Sequence, residues 1–203
     1  KASGHGEYDY TTDRMSIDVD SGSLGDMKIE SGKVVIDTVT GVGNATIDAH
    51  LTGPLKTVFQ YISEKPINVG EKIGTDVNKI EGTADVNINV SFPTLADLPA
   101  EDIRVIATGT TKDVLLPGLV SGLDLSGGPM EVSVKDARLD VKGKARLAGR
   151  DMNFTFGQFF ESKGKPFAMQ AVADIVVDPD LRLKFGVDLA DWMEGSAPGK
   201  ITY

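Results

Sequence analysis

Residues 83–92 have the sequence TADVNINVSF, in which polar and apolar side chains alternate at every position. Successive side chains of a β-strand point to opposite faces of a sheet, so this alternation predicts a strand with one apolar and one water-facing side. Ala84, Val86, Ile88 and Val90 would share the apolar side. The stretch therefore predicts an amphipathic β-sheet.

Apolar residues recur at every second position in further runs, namely 15–19, 45–51, 137–147, 167–177 and 181–189. Turn-forming residues separate these runs at 20–22 (DSG), 31–32 (SG), 41–43 (GVG), 126–128 (SGG) and 178–180 (DPD). Short connections of this kind join antiparallel strands. The sequence therefore predicts a mainly β chain, a long antiparallel meander of roughly ten strands.

Helical patterns are scarce, and the best one covers Pro54–Glu64. Proline suits the first turn of a helix. The apolar residues of this segment recur with helical spacing and form one stripe: Leu55, Val58, Phe59 and Ile62. Shorter helical turns are predicted within Thr94–Asp102 and Leu189–Glu194. We therefore expect one or two short helices beside the sheet.

An amphipathic sheet has to cover its apolar face, and one or two short helices are too few to cover roughly ten strands. The sheet could fold into a β-sandwich, close into a β-barrel, or curl into an open trough that something else covers. The periodicity alone favours a closed sandwich or barrel over the trough. No clean domain boundary is visible, so residues 1–203 are expected to form a single unit.

Composition excludes several classes of function. Lys and Arg number 21 against 30 Asp and Glu, a net charge of -9, so the chain lacks the basic surface that binds nucleic acid. It has no cysteine and only two histidines, His5 and His50. Thiol chemistry, disulfides and thiolate metal sites are thereby excluded, and imidazole-based sites are disfavoured. No stretch approaches the roughly 18 apolar residues of a membrane span.

Candidate catalytic and metal-binding motifs are all incomplete. The glycines at 41–43 lack the third glycine and following helix of a dinucleotide loop, and Asp13, Asp18 and Asp20 do not form a calcium loop. No Gly-x-Ser-x-Gly motif precedes a helix. We therefore expect no catalytic residue, no metal and no cofactor, and a protein that is not an enzyme.

Six basic residues cluster in one stretch: Lys135, Arg138, Lys142, Lys144, Arg146 and Arg150. Most alternate with apolar residues, so they would line the outer side of one strand. Pairing with acidic residues across the sheet is one interpretation, and weak contact with lipid headgroups is the other.

An ordered set of short motifs runs from Ala45 to Phe160. In chain order these motifs are TGPL at 52–55, KIEGTA at 79–84, FP at 92–93, LPAEDI at 98–103, DVLLPGL at 113–119, LDLSGG at 123–128 and VKGKARLAG at 141–149. Each motif alone has low specificity, but their order and spacing resemble the central domain of the YhdP-type branch of the AsmA-like proteins, large envelope proteins of Gram-negative bacteria.

The resemblance implies that this chain is a fragment of a long periplasmic protein anchored in the inner membrane by an N-terminal helix. Such proteins are similar to the repeating-β-groove lipid transfer bridges. The implied fold is an open, taco-like groove, continued by neighbouring segments of the same long chain. The implied role is to bind phospholipid acyl chains, to contribute to transport between the inner and outer membranes, and so to support the outer-membrane permeability barrier.

The apolar sides of the predicted strands would line this groove. The lining residues we predict are Val86, Ile88, Val90, Ile103, Val105, Val132, Val134, Leu139, Val141, Leu147, Phe154 and Phe156. The alternative is a periplasmic scaffold for envelope or outer-membrane protein assembly, with a closed, dry core and no lipid.

Overall fold

The computed structural model describes residues 1–37, 42–63, 75–160, 164, 168–188 and 194–202. Its strands form one 11-stranded sheet in which spatial order equals chain order, from β1 at one edge to β11 at the other. Every neighbouring pair is antiparallel. The predicted antiparallel meander is therefore confirmed.

The strands are β1 (Ala2–Asp9), β2 (Arg14–Leu24), β3 (Met27–Asp37), β4 (Asn44–Pro54), β5 (Glu81–Pro93), β6 (Arg104–Val120), β7 (Leu123–Lys135), β8 (Arg138–Leu147), β9 (Arg150–Phe159), β10 (Met169–Val177) and β11 (Ala197–Thr202). Two short α-helices lie among the described residues, α1 (Leu55–Ser63) and α2 (Pro179–Lys184). Two 3-10 turns cover Val77–Lys79 and Ala100–Asp102, the second within the predicted 94–102 segment.

The sheet forms a single open layer. Strands β1 and β11 are its two edges and do not pair with each other, so the closed sandwich or barrel that periodicity alone favoured is wrong. A compact monomer of this mass would expose about 9,200 Å². This chain exposes 12690 Å², as expected when much of one face has no second layer.

Cross-strand register aligns the apolar residues on one side of the sheet, which we call the inner face. In the centre, Ile47 of β4 lies opposite Val90 of β5, and Val90 lies opposite Val105 of β6. The polar residues Asp48 and Asn89 are register partners on the other side, the outer face. Alternation of period two thus produces two chemically distinct faces, as predicted.

The two ends of the strands form two different rims. At the helix rim, the even-numbered strands end and both α-helices lie, α1 after β4 and α2 after β10. At the turn rim, the even-numbered strands begin, and the 3-10 turn at Ala100–Asp102 lies between β5 and β6. The α-helices of the described chain therefore lie at one rim of the sheet, and the core forms at that rim.

The hydrophobic core lies along the helix rim. We call its inner-face part the sealed half, formed by Ala84, Thr111, Val114, Leu116, Leu125, Met130, Ala145, Leu147, Met152 and Ile175. Helix α1 adds Leu55 to the same cluster, and α2 adds Leu181, which is 0% exposed. The long β6–β7 hairpin folds over it with Leu119 and Leu123. The chain therefore covers the inner face at this rim with its own residues.

Helix α1 was predicted over Pro54–Glu64 and is observed from Leu55, one residue later. Leu55 is buried, and Val58 and Phe59 pack against the core. The helix also touches the β2–β3 turn at Gly25, which has a φ of 57°. A Cβ atom there would lie 2.8 Å from the Tyr61 hydroxyl, and the left-handed backbone itself favours glycine at this turn.

Helix α2 replaces the strand that alternation predicted over 181–189. Asp178 caps the helix because its side chain accepts a hydrogen bond from the Leu181 N–H at 2.8 Å, and Pro179 occupies the first turn. These two local signals for a helix outweigh the period-two alternation of the apolar residues in this segment. The prediction of a strand was therefore wrong.

Several glycines that were predicted to form turns lie inside long strands. Gly22 belongs to β2, Gly32 to β3, and Gly127 and Gly128 to β7. Register shifts occur beside several of them, between Ile29 and Ser31 and between Gly127 and Met130, because glycine accommodates a bulge without ending a strand.

The chain ends also differ from expectation. Residues 2–9, which lie outside the alternating runs, pair with β2 as strand β1. Residues 197–202 form β11, which the alternation did not predict. The helical turn predicted at 189–194 lies, apart from Glu194, outside the described residues.

Replacing Asp178 by Asn should lower thermal stability at neutral pH. Arg150 Nε lies 2.5 Å from the Asp178 carboxylate, and this hydrogen bond, with that from the Leu181 N–H, holds the pKa of Asp178 below its ordinary value. A depressed carboxyl pKa adds stability above the pKa of the unfolded chain, and that stability is lost as pH falls through the folded-state pKa. The melting temperatures of the two proteins should therefore converge in acid.

Asp180→Asn is the control, since Asp180 is far more exposed and 3.7 Å from Arg150. A difference in melting temperature between Asp178→Asn and the wild-type chain that does not change with pH would contradict the assignment.

Replacing Thr111 by Val should stabilise the fold. Thr111 is 6% exposed, and its hydroxyl has no hydrogen-bond partner among the described residues. Removing a buried hydroxyl without a partner gains about 1 kcal/mol in the free energy of unfolding. Urea unfolding measures this gain, and Thr108→Val on the exposed outer face serves as the control. A loss of stability in Thr111→Val would show that the hydroxyl has a partner in solution.

Candidate functional site

The inner face beyond the core is apolar and half-exposed. We call this region, between the core and the turn rim, the open half. Its members are Ile17, Val34, Ile47, Ala49, Ile88, Val90, Val105, Ala107, Val132, Val134, Leu139 and Phe156. None of them belongs to the core cluster of the described residues. The sheet thus carries a continuous apolar surface that the described part of the chain does not cover.

The strand registers place the predicted lining residues on the inner face, and Ile103 directly precedes β6. Those in or beside the open half are half-buried: Ile88, Val90, Ile103, Val105, Val132, Val134, Leu139 and Phe156. Val86, Val141 and Phe154 lie at the border and pack against the core. Leu147 is 3% exposed and belongs to the sealed half. Their role as ligand contacts stays a prediction.

Sequence reasoning left out the part of the open half that lies on β2, β3 and β4. Ile17 and Ile47 belong to alternating runs, so the signal that found the other residues was present for them as well. In β3, by contrast, Val34, Val35 and Ile36 are consecutive, and alternation cannot assign a face. Register with β4 assigns Val34 to the inner face, opposite Ile47.

A cavity of about 540 Å³ extends the open half to the β1 edge. Its floor includes Gly4 and Gly6, which lie opposite Val19 and Ile17 of β2. Tyr8 lines the turn-rim end of this cavity. Because glycine has no side chain, Gly4 and Gly6 leave the inner face uncovered at this edge.

The outer face is polar and its charges pair across strands. Lys33 of β3 lies 3.2 Å from Asp18 of β2, and Lys142 of β8 lies 3.0 Å from Glu131 of β7. His50 Nε2 lies 2.8 Å from Asp85 Oδ1 on the neighbouring strand. Exposed pairs of this kind contribute little stability, but they mark this side as the water-facing one.

The predicted basic stretch is divided between the two faces. Lys142 pairs with Glu131 on the neighbouring strand, as the cross-sheet interpretation anticipated, whereas Arg138 pairs with Asp140 of its own strand. Lys144 and Arg146 also lie on the outer face, and Lys144 lines an open concavity of about 690 Å³. Arg150 is on the inner side, where it anchors α2. The stretch therefore does not line the open half.

The open half offers contact with apolar groups and few directed polar contacts. Its near neighbours on the inner face include one amide, Gln158, opposite Leu139. Within the described ranges, no group of three or more His, Cys, Asp or Glu side chains is placed to hold a metal ion. Such a surface binds by the hydrophobic effect, which is non-directional and proportional to the apolar area removed from water.

The fold and this surface define a class of protein with an open β-sheet and an apolar groove. A sequence model described as "YhdP protein" matches residues 3–202 of the chain. The chain therefore belongs to the YhdP protein family, and the predicted resemblance is confirmed. Membership suggests an envelope protein with a role related to lipid transport. Comparisons with curated proteins and with solved structures found no match.

Among the described residues, no helix combines the length and the apolar character needed to cross a bilayer.

An added charge should be tolerated in the open half and not in the sealed half. Ile88 is half-exposed, so Ile88→Asp should cost about 1 kcal/mol in the free energy of unfolding. Ala145 is 4% exposed within the core, so Ala145→Asp buries an unpaired carboxylate and should cost about 3–5 kcal/mol. Urea unfolding compares the two variants with Asn87→Asp on the outer face. Equal losses in Ile88→Asp and Ala145→Asp would mean that the open half is covered in solution.

Proposed function

We propose that the open half binds the acyl chains of phospholipids and that the protein contributes in this way to phospholipid transport between the inner and outer membranes. Such transport would support the permeability barrier of the outer membrane. The observation that carries the proposal is the half-exposed apolar surface of the open half, which runs across β2 to β9 without belonging to the core. Family membership supports the same conclusion.

Transfer free energy supplies the mechanism. Apolar surface removed from water contributes about 25 cal/mol per Å². An acyl chain that lies on the open half removes apolar surface of both the lipid and the sheet from water, and this favours the bound state. Headgroups remain in solvent, because burying an unpaired charge is costly. A surface with few polar contacts holds no single position of the chain strongly. Lipids can therefore slide along the row of strands instead of being trapped.

The location and partners of the protein follow from the same proposal. Transport between two membranes requires a periplasmic protein, with inner-membrane anchoring supplied by the full-length chain. The free edges of β1 and β11 carry unpaired backbone groups, and such edges readily pair with another strand. We expect neighbouring segments of the same long chain to pair there and continue the groove. Neither nucleic acid nor an enzymatic reaction has a place in this function.

The competing function is a periplasmic scaffold for envelope or outer-membrane protein assembly that binds no lipid. A scaffold would need its apolar inner face covered by protein. The half-exposure of Ile88, Val90 and Val134 favours the lipid-binding proposal, since these residues lie outside the core of the described chain.

Lipid extraction and mass spectrometry of the purified protein test the proposal directly. Phospholipid should co-purify with the wild-type chain and be lost from Ile88→Asp and Val141→Asp. An acyl chain on the inner face of either variant would have to bury an unpaired carboxylate, which costs free energy. Asn87→Asp is the matched control, since it adds the same charge to the same strand on the exposed outer face and should retain lipid.

Two outcomes would count against lipid binding. Wild-type protein free of phospholipid after purification from membranes without detergent would favour the scaffold. Equal lipid content in Ile88→Asp and Asn87→Asp would show that any bound lipid lies elsewhere than on the inner face. Circular dichroism of each variant establishes that the sheet is intact before lipid is measured.

A further inference from the structure

Burial on the inner face changes abruptly along each central strand. On β5, Ala84 is 3% exposed, whereas Ile88 and Val90 are half-exposed. On β7, Met130 is 3% exposed, whereas Val132 and Val134 are half-exposed. The change occurs at the same level on both strands. The open half therefore has a wall, made of the chain's own side chains, on its helix-rim side.

This wall is mainly apolar, and the buried Thr111 lies in it between Ala84 and Met130. Leu55 of α1 and Leu181 of α2 lie in the same cluster as Ala84 and Met130. The Arg150–Asp178 ion pair fixes the start of α2 to β9. A bound molecule thus meets hydrocarbon at the helix-rim end of the open half, and it cannot pass further without displacing the core.

The free length of the strands matches an acyl chain. From Val86 to Phe92, strand β5 advances by six residues, about 20 Å at roughly 3.3 Å per residue. One leaflet of a bilayer contributes about 15 Å of hydrocarbon, half of a core of roughly 30 Å. An acyl chain lying parallel to the strands therefore fits between the wall and the turn rim.

We propose that acyl chains lie along the strands with their methyl ends against the wall at Ala84 and Met130 and their headgroups at the turn rim. The assignment rests on the proposed function, and it adds which rim the headgroups occupy. The wall excludes the opposite orientation, because it would press a charged phosphate against buried hydrocarbon. The turn rim instead provides water and the inner-face amide of Gln158, near the end of β9.

Two photoreactive lipids test the orientation on the wild-type chain. One is a phosphatidylcholine with a diazirine at the methyl end of an acyl chain, and the other carries the diazirine on the headgroup. After irradiation, fragmentation mass spectrometry locates the labelled residues. The methyl-end probe should label Val86 and Val132 more than Phe92 and Gln158, and the headgroup probe should invert that ratio.

The outcomes separate the orientation from the function itself. Inner-face labelling with the same ratio for both probes, or with the two ratios reversed, would overturn the orientation and leave lipid binding standing. Absence of inner-face labelling by either probe would overturn the proposed function and the orientation with it. The Ile88→Asp variant is the control, since both probes should lose their inner-face labels in it while any outer-face labelling stays unchanged.

Discussion

The structure depends on one constraint, that a single amphipathic sheet has to keep its apolar face away from water. Eleven strands in chain order give this sheet one apolar and one charged side along its whole length. Within the described ranges, the chain covers that apolar side mainly near the helix rim, and Ala45 at the turn rim is also buried. Everything of functional interest follows from the difference between the half that is covered and the half that is not.

The sealed half gives the sheet its order. Helix α1, the β6–β7 hairpin and α2 place buried residues over the same row of strand ends, and the Arg150–Asp178 pair connects α2 to β9. Strands β5 to β9 run through both halves, so backbone hydrogen bonds carry this order into the open half. The open half can therefore stay uncovered without losing its shape. A surface of this kind can accept an occupant and release it, because folding does not depend on the occupant.

The chemistry of the inner face suits a ligand that is held by area and not by directed bonds. Charges are concentrated on the outer face, where Asp18 and Lys33 or Glu131 and Lys142 pair across strands. This separation keeps ion pairs away from the groove. Glycines at the β1 edge extend the apolar surface to the end of the sheet. The proposed lipid role and the proposed orientation both arise from this division of polarity within one layer.

Alternation in the sequence determined strands β2, β4, β5, β8 and β10, the two faces and most of the predicted lining, because period two is a local property that each segment carries by itself. The helical spacing of Leu55, Val58 and Phe59 indicated α1 and is an equally local signal. Alternation failed where local signals conflict, as in α2, where the Asp178 cap prevailed, and in β3, where Val34 and Val35 are both apolar. Only the tertiary structure decided that the sheet stays open and that Leu147 is sealed while Leu139 is half-exposed. Both residues have the same character and the same face, and what separates them is the packing of α1, α2 and a distant hairpin, which no single strand encodes.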